Sequence, residues 1–183
     1  MNEFYKELIT HTDNWVKRVI MKYNICPFAR QEIESNTIRY LVIDETKIAK
    51  LADKLVEEYQ YLDQHPEVET SLMILANGFG DFNRYLGAVY LAEDLIEDLG
   101  YEGTYQIASF HPEYCFEGED FDSATNYTNR SPYPTLHIIR EASIEKALEN
   151  YNEPESIPER NIAFTERKGA AFFIELLKSC KSN

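Results

Sequence analysis

Cysteine is scarce in this chain of 183 residues: Cys26, Cys115 and Cys180 are the only three. They form no CxxC pair, which excludes a zinc ribbon and a dithiol redox motif. Glycine and proline number seven each, and neither an internal repeat nor a low-complexity tract interrupts the sequence. No apolar run nears the roughly 18 residues a membrane helix needs, so no membrane span is expected. The opening stretch MNEFYKELITHTDNW is charged and broken up. No secretory signal is therefore expected, and a cytoplasmic location with reduced thiols is. In that compartment the glycosylation-like triplets beginning at Asn126 and Asn129 carry no meaning.

Positive charge is also in short supply. Eighteen Lys and Arg face thirty-two Asp and Glu, for a net charge of −14. Such a surface repels phosphate backbones, and no Lys/Arg cluster offsets it locally. Nucleic acids and anionic membranes are thereby excluded as expected partners. The acidity itself reads as solubility.

What the chain does have is enough apolar material for a core, 44% of residues with 13% aromatic. Its length suits one domain, residues 1–183, burying roughly 70% of the unfolded surface. Phe4, Leu8, Trp15, Val19 and Tyr23 recur at helical spacing, predicting a helix that ends before Asn24-Ile25-Cys26-Pro27. Thr37–Ile43 reads as a strand, Lys47–Gln64 as an amphipathic helix, and Ser71–Ala76 as a strand covered on both faces. Asn77-Gly78-Phe79-Gly80 makes a turn, Asp81 caps a helix that Gly100 closes, and Thr104–Phe110 and Thr135–Ile139 are further strands. A short helix over Ser143–Tyr151, a polar hinge over Asn150–Pro158 and a last helix over Ser156–Lys178 complete the chain. That last helix is expected to open with a Ser156…Glu159 capping box and to bury Ile162, Ala170, Phe173 and Leu177.

The order α-β-α-β-α-β-loop-β-α-α predicts a single layered α/β domain, a mixed four-stranded sheet flanked by helices. From the first strand onward it parallels a thioredoxin-like topology, which implies nothing about activity.

The departure from ordinary expectation is the connection His111–Pro134. Loops beyond about 12–15 residues without structure of their own are functional or disordered. Tyr114, Phe116, Phe121, Tyr127 and Tyr133 are too many aromatics for a disordered tether. An ordered aromatic loop at strand ends is how α/β folds build sites. Within it Asn126, Asn129, Arg130 and Ser131 form the densest polar group; the asparagines could equally serve an internal turn network. Arg130 offers a planar fork suited to a carboxylate or phosphate.

His111 follows the third strand and precedes Pro112, and its ordinary pKa suits general acid–base work. His137 lies inside the fourth strand, opposite in direction to Leu136 and Ile138, and is expected buried and neutral. Arg140 and Glu141 close that strand and could line the same mouth. Cys26-Pro27-Phe28 is similar to the thiol contexts of glutaredoxins and peroxiredoxins. Here the thiol follows a helix, at the unfavourable end of the dipole, so an inert thiol is expected, with a nucleophile as the alternative should His111 fold over it. A Cys26, His111, Cys115, His137 metal set is considered and set aside, and no cofactor is expected. Asn77-Gly-Phe-Gly80 lacks the endings of a phosphate loop.

These segments also carry a family resemblance. Cys26-Pro-Phe-Ala29, Phe110-His-Pro-Glu-Tyr114 with Phe116 and Gly118, Asn126–Ser143 (NYTNRSPYPTLHIIREAS) and Ile157-Pro-Glu-Arg-Asn161 resemble an uncharacterised, mainly bacterial family catalogued as domain of unknown function 1415. The resemblance spans nearly the whole chain. It implies kinship and a bacterial, cytoplasmic origin, with no reaction to carry over.

Two functions follow as expectations. The first is an enzyme acting on a small anionic metabolite, with His111 as general acid/base, Cys26 as a second catalytic candidate and Arg130, helped by Arg140, as anion anchor. Asn126, Asn129, Ser131, His137 and Glu141 would complete the substrate site. The alternative is a non-catalytic ligand- or protein-binding module using the aromatic loop. An enzyme should bring His111 and Arg130 together in one concave pocket, whereas a protein-binding module should expose the loop aromatics.

Overall fold

The computed structural model describes residues 2–149 and 153–182. Helix α1 (Glu3–Trp15) runs directly into a π-helical segment, Val16–Met21, and α2 (Ala29–Ser35) follows. Then come β1 (Ile38–Ile43), α3 (Ile48–Gln64), β2 (Thr70–Leu75), α4 (Phe82–Asp98) and β3 (Tyr105–Phe110). After a long loop holding a 3-10 turn, Ala124–Thr128, the chain forms β4 (Thr135–Arg140), α5 (Glu141–Leu148), α6 (Ile157–Lys168) and α7 (Ala170–Cys180). The result is an α/β domain on one four-stranded mixed sheet, ordered β1-β2-β4-β3. β1 and β2 pair in parallel through the α3 crossover, while β4 runs antiparallel to both β2 and β3.

Period-two alternation divides the sheet into two unlike faces. Met73 and Leu75, Leu136 and Ile138, Tyr105 and Ile107, and Leu41 and Ile43 point one way, into the main core with α3 and α4. That side is densely filled: Leu51, Leu55, Tyr59 and Leu62 of α3 and Tyr85, Ala88 and Ala92 of α4 are all buried. The other face carries Leu72, Ile38, Tyr40 and Phe110, which pack against Trp15, Val16, Val19, Ile20 and Ile25. His137 lies in register with Leu72 on one side and Ala108 on the other, so it shares this second face. The covering here is thinner, and the candidate site lies under it.

The π segment places that cover. The Ile25 amide reaches back five residues to Ile20 O at 2.9 Å, and Lys22 does the same to Lys17 O at 3.2 Å. The wider turn brings Val16, Val19 and Ile20 inward together with Trp15. Such segments are rare and recur at functional sites. At the other end of the core, the turn after β2 depends on Gly78. Its φ is +82°, and a Cβ there would stand 3.0 Å from both Cα and Cβ of Thr46. Asp81 caps α4 as expected, accepting from the Arg84 amide at 2.8 Å.

Three expectations are corrected. α2 was hidden, because its seven residues bury no side chain fully and so leave no apolar stripe. The continuous helix over Ser156–Lys178 is two helices, broken at Gly169, whose φ of +76° ends the first. Ser156 is not a capping-box residue: its backbone is already helical, and its hydroxyl donates to Glu153 O. With the break, Phe173 is buried but Ile162 stays 44% exposed. The short helix ends at Leu148; its expected end at Tyr151, and residues 150–152 of the hinge, lie outside the described residues.

Candidate functional site

The His111–Pro134 loop is ordered by its own polar side chains. Asn126, fully buried, accepts from the Phe116 amide at 3.0 Å and donates to Asp120 O at 2.9 Å and Phe121 O at 3.1 Å. Arg130 is 5% exposed; its Nε donates to Tyr114 O at 3.1 Å and a terminal amine to Phe121 O at 2.6 Å. Asn129 donates to Ser109 O at 3.1 Å, and Ser131 to Tyr133 O at 2.7 Å. These are satisfied donors of a turn network. Tyr127 is buried and Tyr114, Phe116 and Tyr133 are partly buried, while Phe121 is 54% exposed.

His111 is buried, and both ring nitrogens are engaged. Nδ1 accepts from the Glu113 amide at 3.0 Å, so Nε2 carries the proton and donates to Phe79 O at 3.0 Å. Burial lowers its pKa, against the opposing pull of the Phe79 carbonyl. The ring packs beside Phe82 and Tyr85 of α4, on the filled side of the sheet. Arg130 points into the loop instead. The two residues expected to work together therefore face different surroundings.

Arg140 is separated from both. It lies at the far end of β4, about 17 Å of strand beyond Thr135. There it donates to Leu62 O at 2.6 Å, His65 O at 3.3 Å and Val68 O at 3.0 Å, closing the C-terminus of α3. It cannot assist Arg130. Glu141 opens α5, its amide bonded to Thr104 O.

What the fold does open is a cavity of about 280 Å³ on the thinly covered face. Its floor is the sheet: Thr70 and Leu72, His137 and Ile139, and Gln106, Ala108 and Phe110. Trp15, Val16 and Ile20 roof it from the α1–π helix, with Phe28, Ala29 and Glu32 from the α2 region. A second cavity of about 470 Å³ adjoins it beyond Phe110, between the loop and the start of α6. Ile20, Cys26 and Phe110 line both. Asn129 alone of the loop's four polar candidates lines either cavity; His111, Arg140 and Glu141 line neither.

Of the expected residues, Cys26 thus shares the first cavity with His137 and the second with Asn129. Burial pushes the Cys26 thiol up, outweighing the Phe28 and Ala29 amides that would stabilise a thiolate. The helix that lies ahead of this thiol is α2, unseen in the sequence. Burial likewise pushes His137 down to about 4, so the ring is neutral, and its remaining exposure is into the cavity. Its tautomer follows from its neighbour. The Thr70 hydroxyl donates to Ile138 O at 2.7 Å, so its oxygen accepts from His137 Nε2–H, 2.6 Å away. Nδ1 then has a lone pair and no hydrogen-bond partner among the described residues. Among those residues, no group of three or more His, Cys, Asp or Glu is placed to hold a metal.

Sequence reasoning missed most of the wall. The sequence puts Trp15 on a buried stripe; among the described residues its indole N–H has no acceptor. Glu32 and Glu69 drew no notice because isolated acids in an acidic chain give no signal. Both flank Thr37: its hydroxyl donates to Glu32, and its carbonyl accepts from the Glu69 amide. His11 was also passed over; it is buried and bonded to the Tyr133 hydroxyl at 2.8 Å, tying α1 to the loop's end.

Comparison with curated proteins and with solved structures finds no match. The family model described as "Protein of unknown function (DUF1415)" matches residues 7–175, nearly the entire chain, and the protein belongs to that family.

Proposed function

We propose that this protein is a ligand-binding module that takes a small, largely apolar molecule into the cavity between the sheet and the α1–π helix. The observation that carries the reading is the composition of that cavity. An apolar body built from Trp15, Leu72, Ala108, Phe110 and Ile139 surrounds a few polar groups, foremost the neutral His137. Small-molecule sites have this make-up. The reading keeps the non-catalytic alternative and moves it from the aromatic loop to the sheet face. The loop supports it by walling the adjoining cavity with Phe116, Thr125 and Thr128. An enzyme for an anionic metabolite would rest on His111 and Arg130, whose donors serve the scaffold's own carbonyls.

Trp15 is the chain's one tryptophan, so its emission reports on this cavity alone. Titration with 1-hexanol should change that emission saturably and raise the melting temperature. At a hundredfold excess over Kd the gain is about 2.7 kcal/mol. Ala108→Phe, which fills the floor, should abolish both responses. A saturable response of equal size in Ala108→Phe, or none in the wild type, would remove the reading.

A further inference from the structure

Resting on that reading, we infer that the cavity selects a positively charged amphiphile, a small apolar amine whose ammonium group sits between Glu32 and Glu69. Every formally charged side chain lining the cavity is a carboxylate, Glu32 and Glu69, and the adjoining cavity repeats the pattern with Glu117 and Glu119. No Lys or Arg lines either one. Glu32 and Glu69 are both partly buried, and among the described residues neither forms an ion pair. Among the described residues, the groups that donate to them are hydroxyls, Thr37 to Glu32 and Ser143 to Glu69. Two half-desolvated carboxylates without a cation lack their best partner, and an ammonium group supplies it.

The interior sets the rest of the ligand. From Gln106, in the same row of the sheet as Thr70 next to Glu69, to Phe110 beside Trp15, the floor runs along β3 for about 14 Å. It therefore accommodates an apolar tail of several carbons. Trp15, only 1% exposed, stands in this wall, and among the described residues its indole N–H has no acceptor and His137 Nδ1 no partner. Unsatisfied polar groups inside an apolar cavity cost stability while it holds no ligand. They also mark where a ligand's own polar atoms gain most. An anion fares badly here on every count: carboxylates and a neutral imidazole in the lining, and a net charge of −14 around it.

The test compares hexylamine, 1-hexanol and hexanoate, alike in tail and different in charge, by Trp15 emission at pH 7 and low salt. Hexylamine should bind roughly tenfold more tightly than 1-hexanol, and hexanoate more weakly than either. The amine-to-alcohol ratio should fall severalfold in Glu69→Gln and again in Glu32→Gln, and in 0.5 M salt as the carboxylates are screened. Equal binding of amine and alcohol, or a ratio unmoved by both substitutions, overturns the charge selectivity and leaves the cavity reading standing. Absence of any saturable response to all three overturns both.

Discussion

Arg130 holds Phe121 twice. One terminal amine donates to the Phe121 carbonyl, and the guanidinium carbon lies 4.7 Å from the centroid of the same residue's ring. Tyr127 adds a second ring at 4.6 Å, so the charge is surrounded by π faces and carbonyl oxygens. This is a clasp across the long loop.

Arg130→Lys keeps the charge and loses the fork, so the loop should loosen. Urea unfolding should show a loss of about 2–3 kcal/mol, the cost of breaking charged hydrogen bonds in a buried site. Proteolysis should then cut faster between residues 117 and 123. Unchanged stability together with lost ligand binding would instead make Arg130 a ligand anchor.

His137 predicts a pH dependence with a definite sign. Its folded pKa, about 4, lies below the ordinary value near 6.5, so the unfolded chain binds more protons between the two. The stability tied to the neutral ring is complete above about pH 6.5 and is lost as pH falls toward 4. Between pH 7 and 4.5 the wild type should lose roughly 2 kcal/mol more than His137→Asn, since His111 is common to both. Parallel losses measured by urea unfolding would show that His137 is not held neutral.

Cys26 should label slowly. With the thiol pushed up by burial, reaction with a disulfide reagent at pH 7 should be well below that of an exposed cysteine and should accelerate above pH 9. The measurement uses Cys115→Ser/Cys180→Ala to isolate one thiol, and saturating hexylamine should slow it further. Rapid labelling at pH 7 would restore the nucleophile.

Gly78→Ala tests the turn that sets β2 against α4. A methyl there meets Thr46 at 3.0 Å while the backbone keeps a positive φ. The cost should be about 1–3 kcal/mol by urea unfolding. A neutral substitution would mean that the turn relaxes freely.

All four strands and the helices α3 and α4 could be read from the sequence, the helices by their period and the strands as short β-branched, aromatic or apolar runs. Ser71–Ala76 looked covered on both faces, and β2 is buried along its whole length. The side-chain direction of His137 followed from strand alternation alone. α2 and the break at Gly169 could not be read, one for want of an apolar stripe, the other because a lone glycine within a helical pattern is tolerated. The loop's importance was visible in its aromatics, but not its purpose. Asn126 and Arg130 look the same in sequence whether their donors meet a ligand or, as here, carbonyls five to sixteen residues back. The cavity itself was invisible, since it depends on how far the π segment lifts Trp15 and Ile20 from Ala108 and His137, a tertiary relationship no local pattern encodes.

Methyl-resolved NMR with hexylamine tests the location of binding most directly. The account predicts saturable shifts confined to the methyls that line the sheet-face cavity, Val16, Ile20 and Ala29 above and Leu72, Ala108, Ile139 and Ile144 around the floor. Shifts centred instead on Ile174 and Leu177, at the cleft beside Pro132 and Lys181, or spread evenly over the surface, would contradict it.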